Sequence, residues 1–201
     1  MTQKPIEFYF DLSSPFAYLT SKWIDDLAAR YDRTVTWKPV MLGVMFKETG
    51  MKPLFHQPLR GDYGMHDFLR SARMVGLDVV IADPFPYLAL APSRGFYWLE
   101  KNAPEKAVAF AKLAFNRYFE EGVAPASAEE LKLLCDHLDI DASTLIAGIR
   151  EPMIKDRLKD ETTRAIENGV FGAPFIRVDG EGFWGNDRKE QIDQWLKTGG
   201  W

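Results

Sequence analysis

The chain has 201 residues, of which 46% are hydrophobic, 13% aromatic and 27% charged, with a formal net charge of −4. That length can bury a substantial core in one domain, or in one domain carrying an insertion, and the apolar share excludes a disordered chain. The acidic balance argues against a nucleic-acid-binding surface, no apolar run approaches the roughly 20 residues that span a bilayer, and one cysteine, Cys135, rules out an internal disulfide or a zinc cluster.

Met1–Ile6 runs straight into an apolar stretch and leaves no room for a signal peptide, so a soluble cytoplasmic protein is expected. Ile6 to Phe10 reads as a first strand. Pro15 to Ala29 reads as one helix, because Phe16, Leu19, Thr20, Trp23, Ile24 and Leu27 recur on one face. Pro15 suits the first helical position and Ser14 the cap before it. Thr34 to Val40 reads as a second strand. From about Gly43 to Gly169 no sheet is legible, only helices separated by proline and glycine: Gly61–Val75, Pro92–Lys101, Pro104–Glu121, Ala128–Leu138, Ser143–Arg150 and Pro152–Asn168. Ser127 and Glu130 form a capping-box pattern. Leu131, Leu134, Cys135 and Leu138 share a face there, which makes Cys135 a buried hydrophobe. Strand character returns at Pro174–Val178. The turn Asp179–Gly182, a short strand at Phe183–Trp184 and a helix from Asp187 to Lys197 follow.

This order predicts an α/β fold, a thioredoxin-like βαβ–ββα domain (residues 1–42 and 170–201) interrupted by an inserted all-helical domain (residues 43–169). Ser14, Pro174 and Asn186-Asp187 all fall at strand ends or helix starts, so one cleft can hold them. Ser14 sits where free backbone N–H groups and the positive end of a helix dipole point outward, a place for an anion, including a thiolate. Cys-x-x-Cys redox proteins carry their thiols at this junction. Here the four positions read Ser14-Pro15-Phe16-Ala17, without sulfur. Any thiol chemistry therefore needs a borrowed thiol. No Ser–His–Asp pattern is legible among His56, His66 and His137, and no metal site is expected.

Three motifs carry a family resemblance: Phe-Tyr-Phe-Asp-x-x-Ser-Pro-Phe-x-Tyr from Phe8 to Tyr18, Val170-Phe171-Gly172-Ala173-Pro174, and Trp184-Gly185-Asn186-Asp187-Arg188. With weaker agreement at Lys52-Pro53, at Arg60-Gly61-x-Tyr63 and around Glu161-Thr162-Thr163, the chain resembles the 2-hydroxychromene-2-carboxylate isomerase family. That family is kin to the kappa-class glutathione transferases and, more distantly, to DsbA-type oxidoreductases. The resemblance implies glutathione as cofactor, a small aromatic substrate and a homodimer. It also implies a cis bond between Ala173 and Pro174, close to Ser14.

By the same resemblance Ser14 is the catalytic residue, donating a hydrogen bond to the glutathione sulfur. Ala173 and Pro174 pair with the cysteinyl amide, and Gly185, Asn186 and Asp187 hold the γ-glutamyl end. Arg60 takes the glycyl carboxylate. The family often has asparagine near the Lys-Pro segment, where this chain has Met51. Phe16, Tyr18, Trp37 and Trp184 are candidates to face a planar substrate. A kappa-type transferase and a non-catalytic thioredoxin-like binding protein are the alternatives, while Ala17 at the second thiol position excludes a disulfide oxidoreductase.

Overall fold

The computed structural model describes residues 4–201. Strand β1 (Ile6–Phe10) is followed by helices α1 (Pro15–Ser21) and α2 (Ile24–Ala29), then by strand β2 (Val35–Pro39). Seven helices come next: α3 (Leu42–Thr49), α4 (Arg60–Met74), α5 (Leu90–Asn102), α6 (Pro104–Phe119), α7 (Ala128–Asp136), α8 (Ala142–Gly148) and α9 (Pro152–Glu167). Strands β3 (Phe175–Val178) and β4 (Glu181–Trp184) and helix α10 (Lys189–Thr198) complete the chain. The sheet order is β2-β1-β3-β4, with β1 parallel to β2, and β3 antiparallel to both β1 and β4. This is the expected βαβ–ββα arrangement, with the helical insertion between β2 and β3.

Alternation along β1 sends Phe8 and Phe10 to one face and Tyr9 to the other. The Phe10 ring meets Trp37 of β2 at 5.3 Å, Phe96 of α5 at 5.9 Å and Phe115 of α6 at 5.7 Å. Tyr18 of α1 stacks on Phe119 of α6 at 4.8 Å. One apolar core therefore joins the strand-bearing segments to the inserted helices. Tyr9 and Phe175 face a smaller cluster with Met45 of α3 and Ala165 of α9. Cys135 is fully buried in the larger core, as expected, and burial pushes its thiol up to about 11.

Four local expectations need correction. The helix expected over Pro15–Ala29 breaks at Lys22-Trp23, because Thr20 and Ser21 donate back to the carbonyls of Phe16 and Tyr18 and compete with the helical ladder. The stretch after β2 contains α3, which was not expected. Its N-cap, Met41, makes no side-chain cap hydrogen bond, and one residue of it, Met45, is buried, so neither a cap nor an apolar stripe announces it. The expected turn Asp179–Gly182 is tighter: Asp179 and Gly180 alone turn, both at positive φ (54° and 100°), and Glu181 and Gly182 pair with β3. The capping box is half formed. Ser127 accepts from the Glu130 amide, but the Glu130 carboxylate goes to Arg117.

Candidate active site

The first strand ends in a carboxylate that organises the turn into α1. Asp11 accepts from the Ser13 amide (2.8 Å) and hydroxyl (2.7 Å) through one oxygen, and from the Leu42 amide (3.0 Å) through the other. Its carbonyl takes the Ser14 amide at 2.9 Å. Burial raises the Asp11 carboxyl above its ordinary value, and the three donors oppose that rise. Sequence reasoning assigned Asp11 no role; an acid closing an otherwise apolar run, Phe8 to Leu12, was the signal.

Asp11 thereby sets Ser14, which is 5% exposed, at the cap of α1. The Ser14 Oγ accepts from the Ala17 amide at 3.3 Å and donates to the Ala173 carbonyl at 3.0 Å, across 159 residues of sequence. The Ala173–Pro174 bond is cis, as are Asp83–Pro84 and Phe85–Pro86. The expected pairing of Ser14 with the proline loop is therefore direct. The Pro174 carbonyl in turn accepts from the Gly185 amide at 3.1 Å, which ties the loop to the Gly185–Arg188 turn.

Gly185 stands at φ +112°, and a Cβ there would lie 2.4 Å from the Asp187 Oδ1, so this position requires glycine. The Asp187 side chain is 72% exposed and pairs with Arg188 at 3.1 Å. Asn186 has a different task from the one expected of its side chain: its Oδ1 accepts from the Trp23 indole at 2.8 Å and lies 3.2 Å from the Thr20 hydroxyl. It clamps the break between α1 and α2 beside the site.

Arg60 opens α4 and its guanidinium donates to Gln57 at 2.9 Å on an exposed surface; no hydrogen bond or ion pair joins it to Ser14, Ala173 or Asp187. Of the four aromatic candidates, Tyr18 and Trp37 belong to the core, with their polar atoms given to Glu120 and Asp25. Trp184 is exposed; it meets Phe171 edge to face at 5.0 Å and its indole covers Gly172. Phe16 packs partly buried against Phe68. No histidine hydrogen-bonds to Ser14, whose side chain pairs with Ala17 and Ala173, and His56, His66 and His137 are exposed. An open groove of about 470 Å³ borders the Gly185–Arg188 turn on its outer side, lined by Trp184, Arg188, Trp195 and Trp201 among others. Among the described residues no cluster of histidine, cysteine or acidic side chains could hold a metal ion, and no helix is long and apolar enough to cross a membrane.

A polar cap in place of the first thiol, a cis-proline loop facing it and a mixed sheet in this order define a thioredoxin-like protein without its cysteines. A family model described as a DSBA-like thioredoxin domain matches residues 5–197, and the chain belongs to that family. Among proteins it is similar to, the 2-hydroxychromene-2-carboxylate isomerase of Pseudomonas putida is 30% identical, over 91% of this chain and 89% of that one. A solved structure of a 2-hydroxychromene-2-carboxylate isomerase matches with a TM-score of 0.87 at 28% identity, covering 96% of this chain and 95% of the other. The glutathione S-transferase kappa 2 of Caenorhabditis elegans is 23% identical over 96% of this chain and 92% of its own length.

Proposed function

We propose that the protein is a glutathione-dependent isomerase. Its substrate class is 2-hydroxychromene-2-carboxylate, or a related aromatic compound, and the open trans-enone pyruvate. The observation that carries this reading is the Ser14 hydroxyl, buried at a helix cap and bonded to the carbonyl of Ala173 where the fold elsewhere carries thiols. The similarity to 2-hydroxychromene-2-carboxylate isomerases over nearly the whole chain supports it.

The residues suit glutathione. The turn at Gly185 leaves a space that a Cβ would close, and the Ala173 amide and carbonyl flank a cis-proline, an edge on which an extended peptide can add. We assign the γ-glutamyl ammonium to the Asp187 carboxylate and its carboxylate to the backbone N–H groups at the Asn186–Arg188 turn. The glycyl carboxylate is assigned to Arg60, whose guanidinium has a neutral partner, Gln57. When bound, glutathione would supply a thiolate able to add reversibly to a conjugated double bond, which permits rotation and return of the cofactor intact.

Ser14 has one hydroxyl proton, and in the free protein the Ala173 carbonyl holds it. To stabilise a thiolate, the hydroxyl must turn away from Ala173. The freed carbonyl can then accept an amide N–H from the incoming peptide, so the two bonds exchange without leaving a buried acceptor unpaired. The α1 N-terminus adds its positive field at the same point. Together a hydroxyl donor and a helix N-terminus lower a thiol from its usual ~8.5 by roughly one unit or more, and so raise the thiolate fraction at neutral pH.

A steady-state assay on the chromene with and without glutathione tests the reading. Turnover that needs glutathione and consumes none is the expected result. Stoichiometric loss of glutathione into a conjugate would indicate a transferase instead. No turnover with either, despite glutathione binding, would reduce the protein to a binding module.

A further inference from the structure

The sheet has an open edge beside α10. Strand β4 pairs with β3 on one side and with no strand on the other among the described residues. Antiparallel partners alternate between pairs that exchange hydrogen bonds and pairs that do not. Val178 and Glu181 flank the two-residue turn, and the Gly185 amide reaches the Pro174 carbonyl, so Glu181, Phe183 and Gly185 direct their backbone groups to the β3 side. Gly182 and Trp184 fall between them in register and direct their N–H and C=O outward. Neither makes a backbone hydrogen bond to any loop or terminus among the described residues. Such a row is a template for another strand, which proteins usually blunt with lysine, proline or a bulge. Strand β4 is short, Glu181 to Trp184, but has none of these.

The groove of about 470 Å³ runs along this edge, since all of β4 lines it together with Arg188, Trp195 and Trp201. It takes in both faces of the strand. Trp184 is on one face, against Phe171 at 5.0 Å; Phe183 is on the other, where its ring meets Trp195 of α10 at 5.9 Å. Gly199 and Gly200, at φ +75° and +110°, turn the chain after α10, and Trp201 meets Trp195 edge to face at 5.1 Å. Trp184 and Trp201 stay 51% and 74% exposed, so two large rings stand in water at the rim. The charge is one-sided. Arg188 is paired with Asp187, whereas Glu181, on the Phe183 face, joins no ion pair among the described residues. No described lysine or arginine stands over the rings of Phe183, Trp184, Trp195 or Trp201. A carboxylate beside unclaimed indole faces suits a cation.

We infer that the β4 edge binds an extended basic peptide segment, added antiparallel as a fifth strand. Its backbone exchanges hydrogen bonds with Gly182 and Trp184. Side chains of the added strand alternate between the faces. Those opposite Gly182 and Trp184 lie on the Trp184 face and suit apolar groups. The one between them lies on the Phe183 face, where an arginine reaches diagonally to the Glu181 carboxylate and to the corner between Trp195 and Trp201. The surface uses neither Ser14 nor the groups assigned to glutathione, so it stands or falls apart from the isomerase reading.

The test is calorimetric titration of the full chain, Glu181→Gln and Trp201→Ala with the blocked peptide acetyl-Thr-Val-Arg-Val-Thr-amide. The other probes are the same peptide with glutamate for arginine, two N-methylated forms, and glutathione. Wild type should bind the arginine peptide about tenfold or more tighter than the glutamate one. Glu181→Gln and Trp201→Ala should each weaken it by about two- to fivefold, while glutathione binds all three proteins alike. Methylation of the two valine nitrogens, which face β4, should abolish binding. Methylation of the arginine and last threonine nitrogens, which face solvent, should leave it. No saturable binding by wild type, equal affinity for the arginine and glutamate peptides, or equal affinity for the two methylated forms overturns the inference. Urea midpoints show whether each variant is folded, and the methylated pair tests wild type alone if one is not. A dimer in sedimentation of the wild type that Trp201→Ala dissociates would give the edge to a second copy of the chain and overturn the inference as well.

Discussion

A side chain at Gly185 would displace Asp187, since its Cβ would lie 2.4 Å from the carboxylate and the backbone stands at φ +112°. Gly185→Ala is expected to cost about 1–3 kcal/mol in urea unfolding, from strain at a conformation that L-residues avoid. Asp187→Ala probes the same corner without strain. Its side chain is mostly exposed and its pairing with Arg188 is a surface one, so stability should change little. Glutathione affinity should fall by about 1–3 kcal/mol in a calorimetric titration, the loss of a charge-assisted hydrogen bond. Unchanged affinity would return Asp187 to the role of a plain helix-start acid. Cys135 sits at the opposite extreme, fully buried with its thiol pushed up to about 11. Cys135→Ser should keep near-full activity while losing roughly 1–3 kcal/mol of stability for burying a hydroxyl.

Between α1 and α2 the chain bends around a side chain that comes from the far end of the sequence. The Asn186 Oδ1 accepts from the Trp23 indole and faces the Thr20 hydroxyl, so the turn after β4 holds the break in the first helix. Asn186→Ala should cost about 1–3 kcal/mol by stranding the indole N–H, and Asn186→Asp, which keeps an acceptor, should cost less. Equal unfolding midpoints for the two variants would mean that the clamp contributes nothing. This contact also explains what the sequence could and could not reveal. The strands, the Ser14 cap, the loop before Pro174 and most helices of the insertion carry local signatures of alternation, capping and proline placement. The break at Lys22-Trp23 does not, because apolar periodicity runs through it, and neither the back-bonding of Thr20 and Ser21 nor the clamp from Asn186 shows in that spacing. Helix α3 lacks a cap and a broad apolar face. Asn186 was read as part of a ligand-binding turn because spacing shows where a residue falls but not which neighbour claims its side chain.

At the scale of the whole molecule, α1 must stay fixed against the inserted helices for Ser14 to face Ala173. Part of that docking is ionic. The Tyr18 hydroxyl (2.8 Å) and the Lys22 ammonium (2.6 Å) both donate to Glu120 at the end of α6. Burial alone would raise the Glu120 carboxyl, but these donors outweigh it and hold it below 4.5. A carboxyl lowered on folding stabilises the protein fully above its unfolded value, and that contribution disappears as pH falls through the folded value. The gap in urea midpoint between wild type and Glu120→Gln should therefore be present near neutral pH and close as the pH falls below the ordinary carboxyl range and through the lowered folded value. A gap independent of pH would remove Glu120 from the acid response. In the function proposed above, this docking holds in place the Ser14 hydroxyl that would stabilise a borrowed thiolate. Ser14→Ala should remain folded, with about 1 kcal/mol lost from the helix cap. The decisive measurement is the thiolate absorbance of bound glutathione against pH in wild type and Ser14→Ala. The midpoint is expected to rise in the variant by about one unit, with turnover falling more than glutathione affinity. Coincident titration curves with unchanged turnover would contradict it and leave Ser14 as a helix cap.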